Sequence, residues 1–171
     1  MYKKILSLFL ILIPINAFAL IEVDITRGNL NPLPLAVSPL SIDEDSRKNF
    51  QKLLNKENIG NEISIIVENN LKTSGLFNPL NKDAFLQAPD IANLKPRFED
   101  WNLIKAQALI TGKVTNVDDK LRVEFRLWDV LAGKEMMALA FTTVPTNWRR
   151  VGHIITDKVY ERLTGEKGYF D

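Results

Sequence analysis

The chain has 171 residues, 22 Lys and Arg against 21 Asp and Glu, one histidine and no cysteine. That balance gives no reason to expect a nucleic-acid binder, and the missing cysteine excludes disulfides, thiolate zinc sites and a lipidated N-terminal cysteine. Its length suits one domain with a real core better than two.

Lys3 and Lys4 open a leader whose apolar stretch, Ile5 to Ile15, is broken by Pro14 and falls short of the ~20 residues a spanning helix needs. Ala17-Phe18-Ala19 then completes a small-x-small pattern, so residues 1–19 read as a signal peptide cut between Ala19 and Leu20. An uncleaved anchor is the alternative. The leader removes Lys3 and Lys4 and no acid, leaving 20 basic and 21 acidic residues and a formal charge of −1. The expected product is a soluble periplasmic protein with no stable membrane insertion after cleavage.

From Leu20 to Thr26 apolar Ile21, Val23 and Ile25 alternate with Glu22, Asp24 and Thr26, which is the period of a half-buried or edge strand. Arg27-Gly28-Asn29 breaks it, and Asn31-Pro32-Leu33-Pro34 makes a stiff hinge, so residues 20–34 are set apart from a domain over 35–171. Leu35 to Leu40 reads as the first core strand, closed by Pro39. Ser41-Ile42-Asp43-Glu44 fits a capping box ahead of a short helix with Phe50, Leu53 and Leu54 inward. A stronger helix places Ile63, Ile66, Val67 and Leu71 on one face and ends at Gly75. Leu76 to Leu80 is a short strand, and Asn81 to Lys95 a loop with one helical turn around Ala84 to Leu86.

Phe98 to Lys105 is expected to be a short helix turning Trp101 and Leu103 or Ile104 inward, before a strand over Ala106 to Val117. Asp118-Asp119 and Ala132-Gly133-Lys134 are turns that fold Leu121 to Trp128 and Met136 to Val144 into a meander with it. Thr146 is the expected cap of a last helix carrying Trp148, Val151, Ile155, Val159 and Leu163 in one stripe and stopping at Gly165. This order implies an α/β sandwich, a mixed sheet of about five strands with helices packed on it.

Little here supports catalysis. His153 lies on the last helix among apolar neighbours, where a structural role suffices. The acids Asp43, Glu44 and Asp45 suit a helix start and lack the glycine and spacing of a Ca²⁺ loop. Asp118 and Asp119 suit turn geometry, Trp148-Arg149-Arg150 reads as a buried tryptophan at a helix start, and no phosphate-binding glycine loop occurs. No metal or cofactor is expected. The remaining candidate is the N-terminal strand, which can pair with another protein's sheet edge or serve as the first strand of its own sheet. Pattern alone does not choose between them.

Several segments together resemble one family. They are Gly28 with Pro34 in Leu33-Pro34-Leu35-Ala36-Val37-Ser38-Pro39-Leu40, Leu71-Lys72-Thr73-Ser74-Gly75-Leu76-Phe77-Asn78-Pro79-Leu80, Trp101 ahead of Ala108-Leu109-Ile110-Thr111-Gly112-Lys113-Val114, and Leu127-Trp128-Asp129. The last runs from Trp148-Arg149-Arg150-Val151-Gly152-His153 to Tyr160-Glu161-Arg162-Leu163-Thr164-Gly165-Glu166-Lys167-Gly168-Tyr169-Phe170. The mature chain thus resembles the N-terminal domain of the TolB family, the periplasmic member of the Tol-Pal envelope system. The resemblance implies an anticodon-binding-domain-like sandwich, no catalysis, and contact with the inner-membrane protein TolA through the mature N-terminus. Here that segment is Leu20, Ile21, Glu22, Val23, Asp24, Ile25, Thr26, Arg27, Gly28, Asn29, Leu30 and Asn31, which tips the choice towards a partner-binding strand. Family members also carry a C-terminal propeller that binds the lipoprotein Pal. This sequence stops about where the propeller would begin, so Pal binding maps onto no residue present and a truncated gene or fragment is expected. The stretch from Ser41 to Gly60 also looks longer than is usual in the family.

Overall fold

The computed structural model describes Ile21 and residues 31–171. Strands β1 (Leu33–Val37) and β2 (Ser41–Ile42) lead into helices α1 (Glu44–Leu54) and α2 (Ile59–Thr73). Next come β3 (Phe77–Pro79), α3 (Pro89–Leu94) and α4 (Phe98–Leu103), then β4 (Ala108–Val117), β5 (Lys120–Asp129), β6 (Lys134–Thr143) and the long helix α5 (Trp148–Thr164). The sheet order is β3-β1-β4-β5-β6, with β2 also paired to β4, giving six strands where about five were expected. β1 is parallel to both β3 and β4 while the β4-β5-β6 meander is antiparallel, so the sheet is mixed as its sequence implied.

β5 shows why the sheet has one dry face. Its alternation puts Leu121, Val123, Phe125 and Leu127 on the side covered by α2 and α5, and each is fully buried there. The α5 stripe of Trp148, Val151, Ile155, Val159 and Leu163 and the α2 stripe of Ile63, Val67 and Leu71 complete this core. Each such side chain contributes roughly 1.5–3 kcal/mol gross on burial, so the two helices are held by their stripes more than by propensity. Gly152 lets them approach, because a Cβ there would lie 2.9 Å from Ile66 Cγ2. Both predicted helix stops hold, with Gly75 and Gly165 at φ +74° and +75°, a left-handed conformation that glycine adopts without steric cost.

On the other face, Ala36, Trp101, Ala106, Leu109 and Val130 form a second cluster under the 81–105 segment. That segment is more ordered than a loop, containing a 3-10 turn at Lys82–Ala84 and the helix α3, with Pro89 at its start. One buried side chain ties several parts of it together. Gln87 Oε1 accepts from Trp101 Nε1 and from the Arg97 backbone N–H, both at 3.0 Å, and Gln87 Nε2 donates to the Lys95 carbonyl at 3.3 Å. Trp101 turns inward as expected and Ile104 packs on the cluster, whereas Leu103 is 74% exposed.

Other boundaries move for identifiable reasons. The first core strand is Leu33–Val37 rather than Leu35–Leu40. Pro34 is tolerated in it because Leu33 N–H and the Leu35 carbonyl face β3, while the Pro34 carbonyl accepts from Gln107 N–H at 2.9 Å on the β4 side. The N–H that proline lacks would point to that side ahead of the first paired residue, Ala108. The capping box at Ser41 does not form, since Ser41 and Ile42 pair with Lys113 and Val114. Asp43 caps α1 instead, accepting from Ser46 N–H at 2.8 Å and Ser46 Oγ at 2.7 Å. Within α1, Phe50 enters the main core, Leu54 packs partly on it, and Leu53 is 51% exposed. The long Ser41 to Gly60 stretch thus contributes a core-capping helix. Thr146 does not cap α5, which is preceded by a 3-10 turn at Pro145–Asn147 and has no side-chain cap.

Candidate partner-binding site

Of the twelve expected partner-binding residues, Leu20 and the nine from Glu22 to Leu30 lie outside the described residues, as do the leader and the Ala19-Leu20 cleavage position. Ile21 is half-buried and packs against the main core, and Asn31 is exposed at a bend two residues before β1.

Topology fixes where this segment joins the domain. β1 lies between β3 and β4, so the segment enters at a central strand. The registers Leu33 with Phe77, Leu35 with Ala108, Ala108 with Asp129 and Asp129 with Lys134 place its attachment at the end of the sheet that holds the β5–β6 turn. The C-terminus of α5 reaches the same end, where Arg162 Nε donates to the Met136 carbonyl at 3.3 Å.

The other candidates find structural employment. His153 Nδ1 lies 2.9 Å from Asn70 Nδ2, which also donates to Thr156 Oγ1 at 3.2 Å, tying α2 to α5. Hydrogen bonds from the Ser46 backbone N–H, above all, hold the Asp43 carboxyl below the usual carboxylate range, as a helix cap should be. Glu44 pairs with Arg47 and Lys48 on α1. Asp118 and Asp119 are both left-handed, at φ 51° and 57°, forming a two-residue hairpin turn. Trp148 is buried at the start of α5 with the Arg149 guanidinium 4.2 Å from its ring centroid. Among the described residues, no three His, Cys, Asp or Glu side chains are grouped to hold a metal ion, and no helix is long and apolar enough to cross a membrane.

A feature the sequence did not single out lies at β6. Between this strand and α5 runs a groove of about 360 Å³ lined in part by Phe141, Thr143, Arg150, Val151 and Ile154. Arg150 is bound at its rim by Asp171, through Nε to Oδ1 at 2.9 Å and Nη2 to Oδ2 at 3.1 Å. That hydrogen-bonded pairing raises the guanidinium pKa and lowers that of the Asp171 carboxyl. The backbone N–H groups of Phe170 and Asp171 donate to Asp157, so the end of the chain folds back along α5. No sequence period marks such a groove, because it forms only where α5 overhangs an edge strand.

The architecture defines an α/β domain with two long helices on one sheet face, a shorter segment on the other, and an N-terminal extension feeding a central strand. Residues 21–136 match the model of the TolB amino-terminal domain, and the chain belongs to that family. It is 81% identical over all 171 residues to the Tol-Pal system protein TolB of Pelagibacter ubique (strain HTCC1062). The chain spans 38% of that relative's length. Among solved structures it is similar to TolB from Acinetobacter baumannii, with a TM-score of 0.63 and 22% identity over 81% of this chain and 30% of that one, a likeness of fold.

Proposed function

We propose that this chain is a non-enzymatic, partner-binding module of the Tol-Pal system, exported to the periplasm by its leader and acting through its mature N-terminal strand. The observation that carries the reading is the 81% identity, across the whole chain, to a Tol-Pal system TolB. The alternating Ile21, Val23 and Ile25 suit strand addition to a TolA-like inner-membrane protein, with residues 20–31 supplying backbone hydrogen bonds and an apolar row. Through such contacts the module would help couple the inner membrane to the outer, supporting outer-membrane integrity and its invagination in division. Pal binding belongs to this scheme only where a C-terminal propeller accompanies the domain. The test compares the mature chain with one lacking residues 20–31 for binding to the TolA C-terminal domain. Loss of binding is expected, and equal affinity would overturn the assignment.

The contact of Ile21 with the main core favours a second reading, a stand-alone structural or ligand-binding domain with this segment docked on its own body. Strong amide protection from Ile21 to Ile25 in the free protein supports docking, and weak protection supports an available strand.

A further inference from the structure

α5 ends at Thr164, at the end of the sheet that holds the β5–β6 turn, and left-handed Gly165 then reverses the chain. Residues 166–171 run back along one side of α5 towards its start, held by three kinds of contact. Asp157 accepts from the backbone N–H groups of Phe170 at 2.8 Å and Asp171 at 3.1 Å. Phe170 packs on the main core and meets Tyr160 edge to face, with ring centroids 5.8 Å apart. Arg150, two turns before Asp157, holds the Asp171 carboxylate through Nε and Nη2. We propose that residues 166–171 are a clasp that sets where the chain leaves this domain and is poised to open.

The tail is matched to the helix it follows. Thr164 and Arg150 are separated by about 21 Å along the α5 axis at 1.5 Å per residue, and the chain from Gly165 to Asp171, nearly extended, spans about 20 Å. An extended tail thus brings Asp171 to Arg150. Gly168 marks the tightest approach, since a Cβ there would lie 2.7 Å from Asp157 Cβ, and any other residue would push the tail off the helix. The carboxylate of Asp157 therefore reaches the Phe170 and Asp171 amides because the residue before them carries no side chain on its own side of the turn.

The two states of the clasp send the chain to opposite ends of the sheet. Closed, it delivers Asp171 to the start of α5, whereas the N-terminal segment joins β1 at the β5–β6 turn end, and strands of ten residues set those ends about 34 Å apart. Open, it frees the chain at Gly165, at the same end as the N-terminal segment. Opening breaks no strand or helix and uncovers one core side chain, Phe170, so it belongs to the low-energy end of local motions. The outermost contact is also the one most open to solvent, with the Arg150 and Asp171 side chains 67% and 30% exposed. Such a pair contributes little and is screened by salt. This inference does not depend on what the N-terminal segment binds.

The chain has no cysteine, so spin labels can be placed in pairs without background. One cysteine is added after Asp171, and its partner is Thr146→Cys, in the turn before α5, or Leu131→Cys, in the β5–β6 turn, both exposed positions. Distances measured by electron spin resonance on the otherwise wild-type full chain should be narrow, short from 146 and long from 131. Asp157→Ala removes the acceptor and Gly168→Val blocks the approach. With circular dichroism unchanged, each should broaden both distributions and shorten the distance from 131 by roughly 10 Å, because a flexible six-residue tail stays within about 13 Å of Gly165. In about 1 M salt the wild-type chain should show both sets of distances, and Arg150→Gln should show that mixture at low salt and respond little to more. Broad distributions in the wild-type chain at low salt overturn the proposal, as do distances that Asp157→Ala and Gly168→Val leave unchanged. A chain that stays fully closed both in about 1 M salt and with Arg150→Gln overturns it as well.

Discussion

Replacing Gln87 with leucine should loosen the entire 81–105 segment, although Gln87 lies in no regular element. The side chain is 4% exposed, and its Oε1 is the acceptor for both Trp101 Nε1 and Arg97 N–H. Leucine fills a similar volume and accepts from neither, leaving two donors without a partner in a dry site. An orphaned buried donor costs about 1–3 kcal/mol, and relaxation of the chain around Arg97 should recover part of that. The expected loss is about 2–4 kcal/mol, seen as a drop of roughly 5–15 °C in the melting temperature for a chain of this size. Urea unfolding followed by tryptophan fluorescence measures it, with Gln87→Leu, Trp101→Phe and the double variant closing a cycle. Trp101→Phe should cost less, by about 1–2 kcal/mol, in the Gln87→Leu background, where no indole N–H remains to be satisfied. A Gln87→Leu change within about 0.5 kcal/mol of wild type, or a strictly additive cycle, would refute the idea that this side chain organises the segment.

Asp43→Ala should cost about 1 kcal/mol in chemical denaturation, as loss of a helix cap does, while Asp43→Asn keeps a capping oxygen and should be nearly neutral at pH 7. Because the folded pKa of Asp43 is depressed below 3.8, its stabilisation is fully present above that value and is lost as pH falls through the folded pKa. The Asn variant should lack this part of the acid dependence, and identical acid titrations would count against the cap. Gly165→Ala forces a Cβ into a left-handed position at φ +75° and should lower stability by about 1 kcal/mol, whereas Leu103→Ser, at an exposed position, should change it by less than about 0.5 kcal/mol. Thermal melts of the two variants side by side check that ordering.

The parts of the fold legible from sequence are those in which burial imposes a period. β5 alternates because one face is wet, and α5 repeats its apolar stripe because one side rests on the sheet. Where a tertiary contact decides, local pattern misleads. Ser41 to Glu44 and Asp43 to Ser46 are both plausible cap sequences, and pairing of Ser41 and Ile42 with β4 selects the second. The six residues of α4 are too few to define a face, so Leu103 could not be told from Trp101 or Ile104 by spacing. The 81–105 segment has no period to read, since tertiary contacts hold it, among them the buried Gln87 amide and the packing of Phe85 and Trp101.

The candidate site divides in the same way. Alternation from Leu20 to Thr26 is visible in the sequence, but a strand pattern does not name the edge it pairs with. Attachment to a central strand, at the β5–β6 turn end, follows from β1 lying between two parallel neighbours.

Amide hydrogen exchange across Ile21 to Ile25, with and without saturating TolA C-terminal domain, tests the partner-binding claim most directly. The account predicts weak protection in the free mature chain and strong, strand-like protection in the complex. Protection left unchanged by the partner would contradict it.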